Sequence, residues 1–256
     1  MAETSWAVAL FRRSVLKRRK LAEIQGALGP TAGLRCLDLG SDNGVISLML
    51  RQSGGEWASA DLTDEAVASI RGLVGTDVHK TDGRRLPFGD AAFDRVAVVD
   101  MLEHVVEEGV FVSELGRVTK PGGRLVVNTP HLKRTLLRRL RRALGQTDEK
   151  HGHLRPGYTP DRLRELLGAD FEMERSRTYS RFFSELVDAA INWGVERLGK
   201  KGSSKGMVVT GSDVARHARM FRAYSAIYPL VAALTALDAL IPWSSGYMLV
   251  VSARRR

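Results

Sequence analysis

Leu34-Arg35-Cys36-Leu37-Asp38-Leu39-Gly40-Ser41-Asp42-Asn43-Gly44 is a short apolar run that closes on an acid and breaks into a glycine-bounded turn. An amphipathic segment, Val45 to Leu50, follows at once. Strand, tight turn and helix in that order place backbone N–H groups and a helix N-terminus at the carboxyl end of a strand. Open α/β sheets take their ligands there. Two glycines in a loop also fit an ordinary turn, so the surrounding chain has to decide.

About 20 residues on, Trp57-Ala58-Ser59-Ala60-Asp61-Leu62 ends a second apolar run on an acid, where nucleotide-binding βαβ units keep a carboxylate for ribose hydroxyls. Next come Val78-His79-Lys80-Thr81-Asp82-Gly83, Leu86-Pro87-Phe88 and Phe93-Asp94. The run Arg95–Asp100 then leads into Met101-Leu102-Glu103-His104-Val105, and Lys120-Pro121-Gly122-Gly123 precedes Arg124–Asn128. Together, in this order, these motifs resemble the class I S-adenosylmethionine-dependent methyltransferases, in particular their small-molecule, type 11-like branch. The resemblance is close over Leu34–Asn128 and looser to Phe171.

The resemblance implies a set of site residues. Asp38 and the turn Gly40, Ser41, Asp42, Gly44 would bracket the methionine part of S-adenosylmethionine. Asp61 would take the ribose, with Leu62 beside the adenine and Asp82, next to Gly83, at the adenine amino group. Asp100 and Met101 would line the cofactor near the transferred methyl. For Asp61 and Asp82 the plain alternative is an acid that starts a helix or stabilises a turn. One departure stands out: the family turn usually carries a third glycine where this chain has Asp42. That aspartate either caps the following helix, accepts from the cofactor's ammonium group, or crowds the cofactor out.

Methyl transfer to a hydroxyl needs donor and acceptor held in line and a proton removed. His104, just past the fourth strand, suits a general base near neutrality. It equally suits a histidine that hydrogen-bonds a neighbouring loop. His131, His151, His153 and Tyr158 are rivals for substrate contact. His151 and His153 flank one glycine without a cysteine or clear third ligand, so no metal site is expected.

At 256 residues and 44% hydrophobic content the chain suits one large α/β domain, with room for an inserted subdomain. The single cysteine, Cys36, lies in the first apolar run and reads as a small buried hydrophobe. No intrachain disulfide is possible, which fits a reducing cytoplasm. Trp6 to Phe11 is too short for a signal peptide, and its basic residues come after it. The net charge of +10 favours an anionic partner. Basic residues gather at Arg12, Arg13, Lys17, Arg18, Arg19 and Lys20, and again at Lys133, Arg134, Arg138, Arg139, Arg141 and Arg142. In the second group leucines recur at helical spacing, the pattern of a membrane-surface helix or of a solvated helix docked by its leucines.

The expected architecture is a doubly wound, mostly parallel seven-stranded α/β sheet of the Rossmann-like methyltransferase kind, with a helical insertion before the last strand. Strands are expected at Arg35–Leu39, Trp57–Asp61, Asp77–Lys80, Arg95–Val99, Arg124–Asn128, Phe171–Tyr179 and Gly246–Ser252. Residues 1–30 read as a helical basic extension and 31–181 as the cofactor domain. An apolar insertion spans 182–245, and 246–256 form the last strand and a basic tail. Lys200–Gly206 within the insertion reads as a linker. Ala223–Trp243 approaches the length of a membrane span. Pro229, Asp238 and the need to return the last strand to the sheet favour an interfacial helix or a lid instead.

These features point to an acceptor with an apolar tail, or one carried on a lipid: a quinone precursor, an isoprenoid or a lipid-linked glycan intermediate. The enzyme would be cytoplasmic, peripheral at an anionic inner membrane face. A nucleic-acid methyltransferase is the main rival. It lacks support, because Asp100-Met101-Leu102-Glu103 stands where base aminomethylating enzymes carry an Asn/Asp-Pro-Pro-aromatic signature. A non-catalytic scaffold, favoured by Asp42, is the third reading.

Overall fold

In the computed structural model, residues 2–133, 137, 154–198 and 214–256 are described. Seven strands form one sheet: β1 Arg35–Leu39, β2 Glu56–Asp61, β3 Val78–Lys80, β4 Phe93–Val99, β5 Thr119–Pro130, β6 Phe171–Tyr179 and β7 Met248–Arg255. Their spatial order is β3-β2-β1-β4-β5-β7-β6. The first five run parallel; β7 inserts antiparallel between β5 and β6. The strand order reverses beside β1, so the crevice between the β1 and β4 tips is the ligand position of a doubly wound sheet.

The helices are α1 Ala2–Arg12, α2 Val15–Leu28, α3 Val45–Gln52, α4 Asp64–Val74, α5 Glu108–Val118, α6 Pro160–Leu167, α7 Phe182–Leu198 and α8 Val214–Ala236. Local chemistry starts them. Thr63 Oγ1 caps α4 by accepting from Ala66 N–H, and Thr159 does the same for α6 with Pro160 at its first position. Ser14 caps α2.

The sheet is covered on both faces, which is why its central strands are continuous apolar runs. On one face Phe111, Leu115, Leu163 and Leu167 of α5 and α6 pack against Leu37, Val96, Val98, Leu125 and Val127. On the other, Ile24 and Leu28 of α2 join Cys36, Leu50, Trp57, Val99, Val126 and Val250. The basic N-terminal segment therefore carries a core-forming helix. Burial pushes the Cys36 thiol up to about 12, in keeping with an unreactive side chain.

Arg254 and Arg255 belong to β7 rather than to a tail. Arg254 pairs with Glu174 at 2.7 Å, and Arg255 with Asp170 at 3.2 Å. The insertion folds as α7, α8 and a 3₁₀ turn at Leu237–Leu240. Asp238 is explained here: its carboxylate accepts from the N–H groups of Arg181, Phe183 and Ser184, capping α7 from the far end of the insertion. Among the described residues no helix is long and apolar enough to cross a membrane. Most of the expected basic helix at Leu132–Leu144 lies outside the described residues, as do His151, His153 and the Lys200–Gly206 linker.

Candidate functional site

The β1–α3 turn is held open by two glycines that nothing else can replace. Gly40 has φ +81°, and a Cβ there would lie 2.5 Å from Met101 Cβ and from the Val99 carbonyl oxygen. Gly44 has φ +76°, and its Cβ would meet the Ile70 backbone at 2.7 Å. Any side chain at either position would both strain the backbone and push the turn off the strand tips.

Asp38, with no exposed surface, holds this turn from below. It accepts from the hydroxyls of Ser41 (2.7 Å), Ser47 (2.5 Å) and Ser59 (2.7 Å), and from Arg51 at 3.2 Å. Asp38 and Ser41 therefore spend their polar atoms on each other and on the scaffold. The expectation that the Asp38 carboxylate brackets a ligand is corrected: burial and four donors make it a positioning group.

Asp61 stands at the tip of β2, next to Leu62 of the cleft, and is almost fully buried. Its carboxylate accepts from Leu62 N–H at 2.7 Å and Asp42 N–H at 3.1 Å. Burial pushes its pKa up, and those two backbone donors offset only part of the rise. Two donors leave lone pairs for a pair of ribose hydroxyls. Leu62, Thr81 and Asp82 line an open cleft of about 650 Å³ with Lys80, Arg85 and Pro87. Asp82 is exposed, and its Oδ1 accepts from the backbone N–H groups of Arg85 (3.0 Å) and Arg84 (2.8 Å), which hold its pKa down. Gly83 at φ +76° lets the chain turn away beneath it.

Asp42 adopts φ +50°, the left-handed conformation in which a glycine is at ease and an aspartate tolerated. It does not cap α3. The helix starts from Gly44 without a side-chain cap, and Asn43 Oδ1 accepts from Val45 N–H at 3.2 Å in the turn before it. The capping expectation is thereby overturned, and the exposed Asp42 carboxylate is left at the mouth of the crevice.

At the β4 tip, Asp100 adopts φ +48° and is gripped from two sides. Asn128 of β5 donates to its Oδ1 at 2.8 Å, and Lys20 of α2 pairs with its Oδ2. Tyr179 donates its hydroxyl to Asn128 Oδ1 at 2.6 Å, completing the chain Tyr179–Asn128–Asp100–Lys20. Burial pulls the Lys20 ammonium down, but the charge and hydrogen bond of Asp100 more than offset it, and the net shift is upward. Met101 is buried beneath Gly40, so its side chain backs the turn and does not line the crevice, contrary to expectation.

His104 is half-buried in the 3₁₀ turn Leu102–His104 just past β4, the region anticipated for it. His131 follows β5; its Nδ1–H donates to the Gly246 carbonyl at 2.9 Å, and burial lowers its pKa, so the neutral ring ties β5 to the end of the insertion. Tyr158 is corrected as a substrate contact. It is buried in the core and its hydroxyl is committed to Glu108 (2.9 Å) and the Leu102 carbonyl (3.2 Å), with burial raising its pKa. Among the described residues no group of three His, Cys, Asp or Glu side chains could hold a metal ion.

Four residues of this end were given no role by the sequence: Lys20, Glu103, Asn128 and Tyr179. Glu103 stood inside a quoted stretch without a role. The others come from distant parts of the chain, and no spacing rule would have joined them.

The insertion is anchored at the same end. Lys133, just after β5, pairs with Glu185 of α7 at 2.8 Å and donates to the Ser245 carbonyl at 3.0 Å. Both charges of that pair are buried. The 3₁₀ turn and the segment after it expose Leu240 (68%) and Trp243 (80%), and Phe182, Leu186, Ile227 and Leu230 are exposed on the two helices. Arg18 of the basic α2 donates to the Tyr228 hydroxyl at 3.1 Å, so the basic and apolar surfaces meet.

Residues 37–127 match the family described as a methyltransferase domain. Demethylmenaquinone methyltransferase of Clavibacter sepedonicus is 41% identical over 106 residues, covering 40% of this chain and 43% of that protein. The protein of the same name from Mycobacterium sp. (strain KMS) is 39% identical over 107 residues, covering 41% and 45%. The match thus spans less than half the length of these curated relatives. Among solved structures, a methyltransferase-like protein from Bacillus halodurans superposes with TM-score 0.59 at 17% identity, covering 92% of this chain and 98% of that one. The cyclase SpnF superposes with TM-score 0.60 at 19% identity, covering 93% and 81%. These two establish the fold and leave the reaction to the site.

Proposed function

We propose that residues 37–127, which match the family described as a methyltransferase domain, form a class I S-adenosylmethionine-dependent methyltransferase domain, and that the chain methylates a small acceptor with an apolar, lipid-like tail at an anionic membrane surface. When bound, the cofactor supplies an electrophilic methyl group on a sulfonium. The residues present fit it: a side-chain-free cradle at Gly40 and Gly44, a carboxylate with spare lone pairs at Asp61, and a cleft flanked by Leu62 and Asp82. Asp42, exposed at the crevice mouth, suits the cofactor's ammonium group.

The observation that carries the acceptor class is the insertion. It is clamped through Lys133–Glu185 and His131–Gly246 beside the β5 end, where an acceptor would approach, and it presents large apolar side chains outward. An apolar cover at that position suits a tail that partitions out of water. The relatives named for a demethylated quinone support the same class. For the surface, exposed Trp243 and Leu240 with the cationic α2 alongside make the combination that binds anionic interfaces.

The test begins with calorimetry of S-adenosylmethionine binding, followed by methyl transfer to short-chain demethylmenaquinol in detergent micelles, read by mass spectrometry. Product bearing one added methyl group supports the reading. Cofactor binding with no transfer to this quinol, or to an isoprenoid phenol, overturns the acceptor class. Sedimentation with vesicles should show binding to phosphatidylglycerol that weakens with salt. Equal binding to neutral and anionic vesicles would remove the electrostatic part of the surface proposal.

A further inference from the structure

Two acids with no exposed surface lie on the same edge of the sheet, and they are built differently. Asp38 is the pattern of a structural buried carboxylate: three hydroxyls and a guanidinium answer its oxygens. Glu103, in the 3₁₀ turn after β4, has one of its oxygens answered by Thr129 Oγ1 at 3.2 Å and the other, Oε1, by no partner among the described residues. Leaving a buried acceptor unpaired costs roughly 1–3 kcal/mol, and more for a charge. An apolar side chain of the same length would avoid that cost. Folds keep such groups where a reaction uses them.

The carboxyl is also held in place. Leu154 N–H donates to the Glu103 carbonyl at 2.9 Å, and the Tyr158 hydroxyl to the Leu102 carbonyl, so the turn is pinned by its backbone while Oε1 stays uncommitted. Asp100 faces it from the β4 tip, Lys20 from α2, Thr129 from β5 and Tyr158 from the segment before α6, with His104 next in its own turn. Burial, and then the Asp100 charge, push its pKa up to about 8; the Thr129 hydrogen bond and Lys20 pull the other way. A base poised near neutrality is the useful kind.

We propose that Glu103 is the proton acceptor of the methyl-transfer reaction, taking through Oε1 the proton that the acceptor gives up. This rests on the proposed function above. In the balanced step the acceptor atom keeps the electron pair of its X–H bond and uses it to form the bond to the methyl group, while the methyl–sulfur bond of the sulfonium would break, its pair staying on a neutral thioether that leaves. The proton passes to Glu103, whose carboxylate becomes a neutral carboxyl and later returns the proton to solvent. Lys20, held by Asp100, offers a cation to the charge that builds on the acceptor atom.

The test compares wild type with Glu103→Gln and Glu103→Asp on demethylmenaquinol in micelles. Glu103→Gln should lower kcat by roughly a hundredfold or more, the usual contribution of a positioned base. Its KM and cofactor affinity should stay within about threefold, and the rise of kcat through pH 8 should disappear. Glu103→Asp should recover part of the rate together with the inflection. A Gln variant that keeps kcat or the inflection overturns the proposal. A second readout needs no substrate: carboxyl-labelled glutamate observed by ¹³C NMR should show one resonance titrating near 8 that is missing from Glu103→Gln. Titration of that resonance in the ordinary glutamate range overturns the inference, whatever the acceptor proves to be. Failure of wild type to methylate the quinol counts instead against the acceptor class.

Discussion

At the β1–β2–β3 end of the sheet, the carboxylates of Asp38, Asp61 and Asp82 find donors no more than 21 positions away in sequence. At the β4–β5 end, Asp100 is answered by Lys20, 80 positions away, and Asn128 is oriented by Tyr179, 51 positions away. The first end is a local construction of turns, caps and short helices. The second exists only once α2, β5 and β6 have come together. The local end suits a ligand shared by many proteins. The assembled end holds the part-buried Lys20–Asp100 pair and, among the described residues, one unanswered oxygen on Glu103.

The contrast can be broken from either side, and the largest effect should come from the local end. Gly40→Ala would drive a Cβ into Met101 and the Val99 carbonyl at a left-handed φ. A loss of about 2–4 kcal/mol in thermal unfolding is expected, with cofactor binding abolished in calorimetry. Retention of both would mean that the turn is not the cradle.

Next in size is the stability of Glu103→Gln against pH. The Glu103 carboxyl has a folded pKa raised from 4.5 to about 8. Its favourable contribution is therefore complete below the unfolded value and lost as pH rises through the folded one. Relative to wild type, Glu103→Gln should gain stability between pH 5 and 8, by on the order of 2–4 kcal/mol in urea titrations. A difference independent of pH would show that the carboxyl is not held neutral.

Asp61→Asn keeps the shape of the site but replaces an acceptor with a donor. Cofactor affinity should fall roughly 10–100-fold, the worth of one or two hydrogen bonds to a charged group. Unchanged affinity would remove Asp61 from the ribose position.

Smallest, and sharpest for the comparison, is Lys20→Met. It should lower kcat about tenfold, the equivalent of some 1.4 kcal/mol, and leave cofactor affinity within twofold. An equal loss in cofactor binding would erase the distinction between the two ends.

Strand and helix positions were largely legible because apolar runs, glycine turns and threonine caps act over a few residues. β1 and β6 lie at their expected bounds, and β2 begins one residue early at Glu56. β5 begins earlier, at Thr119, because Lys120-Pro121-Gly122-Gly123 is taken into the strand, and β7 runs on to Arg255 because acids of α6's flank and β6 answer its arginines. Asp238 shows the opposite case. Its sequence context marks it only as an acid in an apolar segment, whereas folding makes it the cap of a helix more than 50 residues earlier.

The order of the strands, the turn that needs glycine and the acid at the end of β2 were written in local patterns, since backbone conformation and amphipathic period depend on near neighbours. Which polar side chains would share one buried space could not be read that way. Lys20, Asp100, Glu103, Asn128 and Tyr179 meet because sheet pairing and helix packing carry distant segments to a common edge. The raised pKa values of Lys20, Glu103 and Tyr179 follow from the burial and the neighbours that this packing creates.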